Sequence, residues 1–592
     1  MIDSLFGETD TSKALAALIQ IYVAEYSRQD DESGLNKRFG DMYTVGQLAK
    51  SLAAYCCLQY VTRKQWRSLI KLKPIFVGYV SKDAVGYDPS HQKMYFEMFK
   101  SNNSVSSLGA SDGNSIVPSN LNKSSDPSSL SLQDNSTRCT STADIDTNLH
   151  VDVAYVREIV QNSSPNPKNR HVKPMESVFS SSNTTSYGLR QTISPPLDEP
   201  DFALLNKWRR TSKGHIEMAC RYIKFAVGAY GTSFLRIMGL GKARDHSVDA
   251  HGYHHNHQSL AFYTNIPVDN IIASSYLSTE TPHPPKVIAP VHYVVVDKDS
   301  KSVIVCLRGT LGISDVVTDL TASYSQYCLN GQQGYVHLGI LQSAQKIARS
   351  PIKDAVVESL KKHPGYGLVL TGHSLGGGCA ALLAMLWSTL TTSQNGQEYY
   401  TTKESEGFPL RPIHCYVFGC PAIMSSSLSK QLRSLITCFI FRHDVFPSLS
   451  LGLLRDFQNV TVNLCNEEGM AERVIGNVLG LFRGNNAGNV CNESEELWYW
   501  ALLKTLRADM RTDKLYPPGQ VLWINAKSGD TPIHQQNLSA IPMSIHEVED
   551  VEIAFSEFTF SRTMFTDHAP YHYEGSLDAL RSALQHDVKI DL

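Results

Sequence analysis

Gly372-His373-Ser374-Leu375-Gly376-Gly377-Gly378 decides how this chain of 592 residues is read. It contains a G-x-S-x-G turn with flanks that suit a nucleophile elbow. Leu368-Val369-Leu370-Thr371 is a short apolar run typical of a buried strand, and residues 379–387 are apolar and long enough for a helix packed on a sheet. A sharp strand-to-helix turn brings backbones so close that only small residues fit at Gly372 and Gly376. It also lifts the Ser374 hydroxyl clear of the sheet and aims the Leu375 N–H, at a helix N-terminus, toward a reacting carbonyl. Ser374 is therefore the candidate nucleophile and Leu375 a candidate oxyanion donor. Without those flanks the pattern would be only a glycine-rich turn.

Outward from the elbow, strands alternate with helical patterns. A hairpin is expected after Pro290, with strands at 291–296 and 302–307 joined by Asp297-Lys298-Asp299-Ser300. Residues 413–418 and 436–441 read as further buried strands. This alternation predicts an α/β fold, a mostly parallel sheet with helices on both faces. Upstream, residues 216–238 read as one or two amphipathic helices.

A serine hydroxyl needs a base, and the base needs an acid to orient it. On this elbow the chain order is Ser, then Asp or Glu, then His. The best acid downstream is Asp444, which follows Phe439-Ile440-Phe441-Arg442-His443 at the carboxyl end of a strand. His568, in Phe565-Thr566-Asp567-His568-Ala569-Pro570-Tyr571, is the candidate base, after a strand-like run at 555–560 and before a final helix from about Ser576. His572 is its nearest competitor, and Asp567 is a rival acid adjacent to the base rather than across from it. A second oxyanion donor is expected from Arg308-Gly309-Thr310 at the end of a hairpin strand, where Thr310 offers its N–H and hydroxyl.

These residues resemble a known family. Val305-Cys306-Leu307-Arg308-Gly309-Thr310, the elbow and Phe418-Gly419-Cys420-Pro421 look like the class 3 (fungal-type) lipases. Lys514-Leu515-Tyr516-Pro517-Pro518-Gly519 and Asp567-His568 are similar to the sn-1-specific diacylglycerol lipases of that group. The resemblance spans roughly residues 215–585. It implies an α/β-hydrolase fold, a triad of Ser374, Asp444 and His568, oxyanion donors at Thr310 and Leu375, and hydrolysis of a glycerolipid acyl ester. The expected bond is the sn-1 ester of diacylglycerol. Triacylglycerol lipase and phospholipase A1 are neighbouring readings, and a catalytically inactive lipase-like scaffold is the alternative from another class. Ile313, Val316, Val317 and Leu320 share one helical face, with Asp315 and Asp319 opposite, which resembles the family's lid. Residues 451–515, with apolar helical stretches at 471–482 and 497–510, resemble the regulatory insertion of diacylglycerol lipases; a helical embellishment of the core is the alternative.

Composition narrows the partners. Lys plus Arg number 54 and Asp plus Glu 57, a balance that gives no reason to expect nucleic acid. The start has no basic, apolar signal pattern, and no apolar run reaches membrane-spanning length. The animal diacylglycerol lipases carry four spanning helices before the catalytic domain, and none is expected here. The twelve cysteines are scattered and read as reduced thiols, so the chain is expected to be cytoplasmic, with peripheral contact at a membrane or lipid-droplet surface. His246, His251, His254, His255 and His257 lack regular ligand spacing, and no metal or other cofactor is expected. Three regions follow: a helical accessory region at 1–95, with helices around 13–23 and 45–61; a Ser/Asn-rich, disordered linker at 96–200; and a catalytic domain at 201–592.

Overall fold

The computed structural model describes residues 45–81, 212–238, 254–275, 290–310, 323–392, 398–483, 493–526 and 540–585. The helix expected around 13–23, the linker at 96–200, His246, His251 and the lid residues Ile313, Val316, Val317 and Leu320 lie outside them. All described residues fall in one compact unit, formed by 1–100 together with 193–592.

Thirteen strands among the described residues are numbered in chain order. They are β1 (Leu72–Ser81), β2 (Ile271–Ser274), β3 (His292–Asp297), β4 (Ser302–Leu307), β5 (Tyr324–Leu329), β6 (Gln332–His337) and β7 (Gly367–His373). The rest are β8 (Ser388–Thr392), β9 (Glu398–Thr402), β10 (Ile413–Phe418), β11 (Ile436–Phe441), β12 (Gln520–Ala526) and β13 (Ala540–Val548). Nine of them form one sheet in the order β1-β13-β12-β11-β10-β7-β4-β3-β2. Its centre, β12-β11-β10-β7-β4, is parallel throughout. The pairs β4-β3, β3-β2, β12-β13 and β13-β1 at the two margins are antiparallel. The hairpins β5-β6 and β8-β9 stand apart from this sheet. Asn330 and Gly331 turn the first of them, both left-handed (φ 49° and 83°), the geometry that favours Asn-Gly in a two-residue loop.

Both faces of the central strands are apolar because both are covered. Val303, Val305 and Leu307 join one core with Leu368, Leu370, Ile413, Cys415 and Val417, whereas Ile304, Cys306, Val369, Tyr416 and Phe418 join the other. The elbow helix Leu375–Trp387 packs in the first core, and Ser212–Gly228 and Pro570–Gln585 pack in the second. Cys306, Cys415 and Cys438 are fully buried within these layers, and ten cysteines among the described residues are free thiols.

Two readings of the sequence change. The segment expected to be a helical accessory region supplies the helix Val45–Val61 but also β1, which pairs with β13 along the margin of the main sheet. Pro74 and Gly78 obscure that strand in the sequence; at a sheet edge, a missing N–H at Pro74 costs little. The strand-like run 555–560 is not a strand. Val551–Phe555 is a short helix, and Phe558 and Phe560 enter the core as irregular chain. The Gln59 side chain stands in for a strand partner there: its amide donates to the Phe558 carbonyl (3.1 Å) and its oxygen accepts from the Phe560 N–H (3.1 Å). The expected insertion at 451–515 contains three helices, Leu451–Asn466, Met470–Arg483 and Glu493–Ala508.

Candidate active site

Ser374 sits between β7 and its helix at φ 57°, ψ −132°, a left-handed conformation that a side chain rarely adopts. The surroundings hold it there. The Ser374 N–H donates to the Phe418 carbonyl (3.0 Å), and the Gly378 N–H donates to the Ser374 carbonyl (3.0 Å). A Cβ on Gly372 would come within 2.5 Å of the Gly376 carbonyl carbon, and one on Gly376 within 2.6 Å of the Arg308 carbonyl carbon. The two glycines expected to permit close approach therefore do so.

Three side chains distant in sequence converge at the carboxyl edge of the sheet. His568 Nε2 lies 2.8 Å from Ser374 Oγ, and His568 Nδ1 lies 2.7 Å from Asp444 Oδ2. Asp444 follows β11 and accepts the Phe446 N–H on its other oxygen (3.0 Å). Phe446 also packs its ring 4.1 Å from that of His568. All three polar side chains are buried, Ser374 to 2 % exposure. An Nδ1–H held by a carboxylate leaves Nε2 as the acceptor facing the serine, the tautomer a general base needs.

The rivals are accounted for. His572 stacks on Phe441 (5.3 Å between rings), and burial lowers its pKa to about 3. Asp567 does not face His568: its carboxylate accepts the His443 N–H (3.1 Å) and the Thr563 hydroxyl (2.8 Å). Burial raises its pKa to about 6. The Thr310 hydroxyl is buried without a hydrogen-bond partner. A Cβ on its neighbour Gly309 would lie 3.1 Å from that of Ser374, so the loop carrying Thr310 runs beside the serine. Leu375 is the first residue of the elbow helix, where backbone N–H groups lack intrahelical partners. Among the histidines of the upstream cluster, His254 caps a helix through the Asn256 N–H (3.2 Å) and His257 bonds Ser274 (2.7 Å). The described residues hold no group of three or more potential metal ligands.

Several site residues escaped the sequence reading. The Tyr573 hydroxyl donates to Asp444 Oδ2 and accepts the Phe441 N–H (3.2 Å), fixing that carboxylate from behind. His373 is fully enclosed, bonded to the Tyr230 hydroxyl (2.8 Å) and to the His568 carbonyl (2.8 Å). Burial, then the neighbouring His568, holds its pKa well below the usual value, so it is neutral and braces the His568 backbone. Gly419, at φ 54°, lets the chain pass within a Cβ distance of 3.0 Å from Asp444 Oδ2. The one available signal was His373 itself, a polar residue in a strand otherwise expected to be buried, where a partner is obligatory.

A parallel-centred sheet with a serine at a strand-to-helix turn, a carboxylate at a later strand end and a histidine beyond it is the α/β-hydrolase fold. Residues 304–453 match the family model described as Lipase (class 3). Over 339 residues the chain is 29% identical to diacylglycerol lipase-beta of Mus musculus, covering 54% of this chain and 46% of that protein. It is 25% identical to diacylglycerol lipase-alpha of Homo sapiens, over 47% of this chain and 26% of that protein. The chain thus spans about half the length, or less, of these curated relatives. A solved Rhizomucor miehei lipase propeptide complex aligns at 16% identity, covering 61% of this chain and 80% of the other, with a TM-score of 0.33. Among the described residues no helix is long and apolar enough to cross a membrane.

Proposed function

We propose that this protein is a serine lipase that hydrolyses a fatty acyl ester of a glycerolipid, the sn-1 ester of diacylglycerol, to monoacylglycerol and free fatty acid. The unbroken line from Ser374 Oγ through the His568 ring to Asp444 carries this reading. The similarity to diacylglycerol lipases supports the substrate. His568 takes the serine proton as Oγ attacks the ester carbonyl, and Asp444 stabilises the imidazolium that forms. The N–H groups of Thr310 and Leu375 receive the tetrahedral oxyanion, with the Thr310 hydroxyl as a further donor. The protonated His568 then releases the glyceride alcohol, and a water activated by the same histidine frees the fatty acid. Because Ser374 is buried, a lipid reaches it only after the covering chain moves, which suits substrate held in an interface.

The test uses a fluorophosphonate probe on wild type and Ser374→Ala, followed by diacylglycerols with distinct acyl chains at sn-1 and sn-2. Wild type is expected to label and to release the sn-1 acid faster above the aggregation threshold of the lipid. Ser374→Ala should lose roughly 10⁶-fold in turnover. Labelling of both proteins would exclude Ser374, and preference for triacylglycerol or phospholipid would move the substrate to a neighbouring class. Labelling of neither would favour a non-catalytic scaffold.

A further inference from the structure

The N-terminal segment touches both loops of the proton relay through side chains spaced four residues apart. Ser51, Tyr55, Gln59, Arg63 and Arg67 recur at that interval, so along the helix Val45–Val61 and the short helix Arg63–Arg67 they form one stripe. Ser51 Oγ meets Cys465 Sγ at 3.1 Å. The Tyr55 hydroxyl donates to Glu557, which also binds Arg507. Gln59 pairs with the Phe558 carbonyl and the Phe560 N–H, eight and more residues before His568. Arg63 and Arg67 (3.2 Å) both donate to His443 Nε2, and His443 is the residue immediately before Asp444.

The acid and base loops are also sewn to each other at this point. The His443 N–H donates to the Asp567 carboxylate, one residue before His568, and the Val445 N–H donates to the Met564 carbonyl (3.2 Å). Burial, then Arg63, Arg67 and Arg442, hold the His443 pKa well below the usual value, so its ring stays neutral and keeps Nε2 as an acceptor. The 556–560 chain has neither helix nor strand to satisfy its buried backbone, and the Gln59 amide does so.

We propose that this stripe is a strap that sets the Asp444 and His568 loops in register, with Gln59, Arg63 and Arg67 as positioning residues for the reaction at Ser374. The proposal rests on the serine-hydrolase reading of the triad. A base displaced by an ångström from the serine slows the chemistry about 100-fold. The strap therefore governs the rate per site rather than the binding of substrate.

The full chain is compared as wild type, Gln59→Ala, the double variant Arg63→Ala with Arg67→Ala, Arg67→Ala alone and Lys64→Ala. Active sites are counted by stoichiometric fluorophosphonate labelling. Turnover per labelled site and KM are then measured on a water-soluble short-chain ester. Gln59→Ala and the double variant should lose about 10-fold to 100-fold in kcat per site, with KM within about twofold. Arg67→Ala, at an exposed position that folding tolerates, should lose a smaller factor, and exposed Lys64→Ala none. An unchanged kcat per site, with only fewer labelled sites or a lower melting temperature, would mean that the strap merely stabilises the fold and would overturn the proposal. A wild type that never labels would instead remove the serine reading beneath it.

Discussion

The elbow around Ser374 is built mainly from residues within four positions, Gly372, Gly376 and Gly378, and leans on distant chain only through the Phe418 and Arg308 backbones. Asp444 and His568 stand 124 positions apart, and their loops are tied to residues as remote as Gln59, 499 positions from Phe558. One half of the site is a local strained turn, whereas the other is assembled from long-range polar contacts. A local turn is specified by sterics that travel with the motif. A long-range assembly depends on every partner meeting, so it is where tuning and failure concentrate.

Asp444→Asn attacks the assembled half most directly. Asparagine keeps the shape but favours the wrong imidazole tautomer, and kcat should fall about 10⁴-fold with KM nearly constant. A loss below about tenfold, measured on the soluble ester, would mean that another carboxylate orients His568. Gly376→Ala attacks the local half. Its methyl would press on the Arg308 backbone, which cannot yield as a side chain can, and should cost about 3 kcal/mol of stability in urea unfolding. Unchanged stability would show that the elbow is looser than its glycines imply.

Acid tests both halves at once, because buried histidines stand in each, His373 in the elbow and His443 and His572 on the assembled side. His373, His443 and His572 all have pKa values lowered chiefly by burial, so the unfolded chain binds protons that the folded one refuses as pH drops below about 6.5. Their contribution to stability is complete above that pH and is lost on acidification. Asp567 works the other way: its raised folded pKa, about 6 against 3.8, favours the fold as pH falls between those values. The lowered histidines, joined by His257, His292 and His546, outnumber the raised carboxyls Asp567 and Glu574, so stability should fall on acidification from about pH 7 to pH 5. Urea unfolding at pH 7 and pH 5 checks this, and equal stability at both would mean that the histidines are not held neutral. Tyr573→Phe is the mildest probe. It removes one hydroxyl from Asp444 and leaves the Phe441 N–H without it, for a loss of roughly tenfold in kcat. A normal rate would assign Tyr573 to packing alone.

The same division explains what could be read in advance. The β3-β4 hairpin, the central strands and two of the three helices of the 451–515 region, Met470–Arg483 and Glu493–Ala508, follow from periodicity and apolar runs, which local chain geometry enforces; Leu451–Asn466 was not read. Asp444 and His568 could be proposed from sequence because chain order on this elbow restricts where a carboxylate and a histidine can stand. β1 was hidden by Pro74 and Gly78, and the run 555–560 mimicked a strand because burial alone makes an apolar stretch look like one. Tyr573, Gln59, Arg63 and Arg67 carried no local sign of their partners. A hydroxyl, an amide or a guanidinium looks the same in sequence whether it meets water or a buried carboxylate.

By itself, the sequence determined the strained serine turn, the parallel-centred sheet around it and the order in which an acid and a histidine follow. Those features are set by sterics and apolar pattern within a few residues. Only the tertiary structure decided that His568 faces Ser374 with Asp444 behind it, and that a segment from the N-terminal region joins the two loops. Such contacts are chosen by the packing of the whole core, since each buried polar group must find its partner wherever the fold happens to bring one.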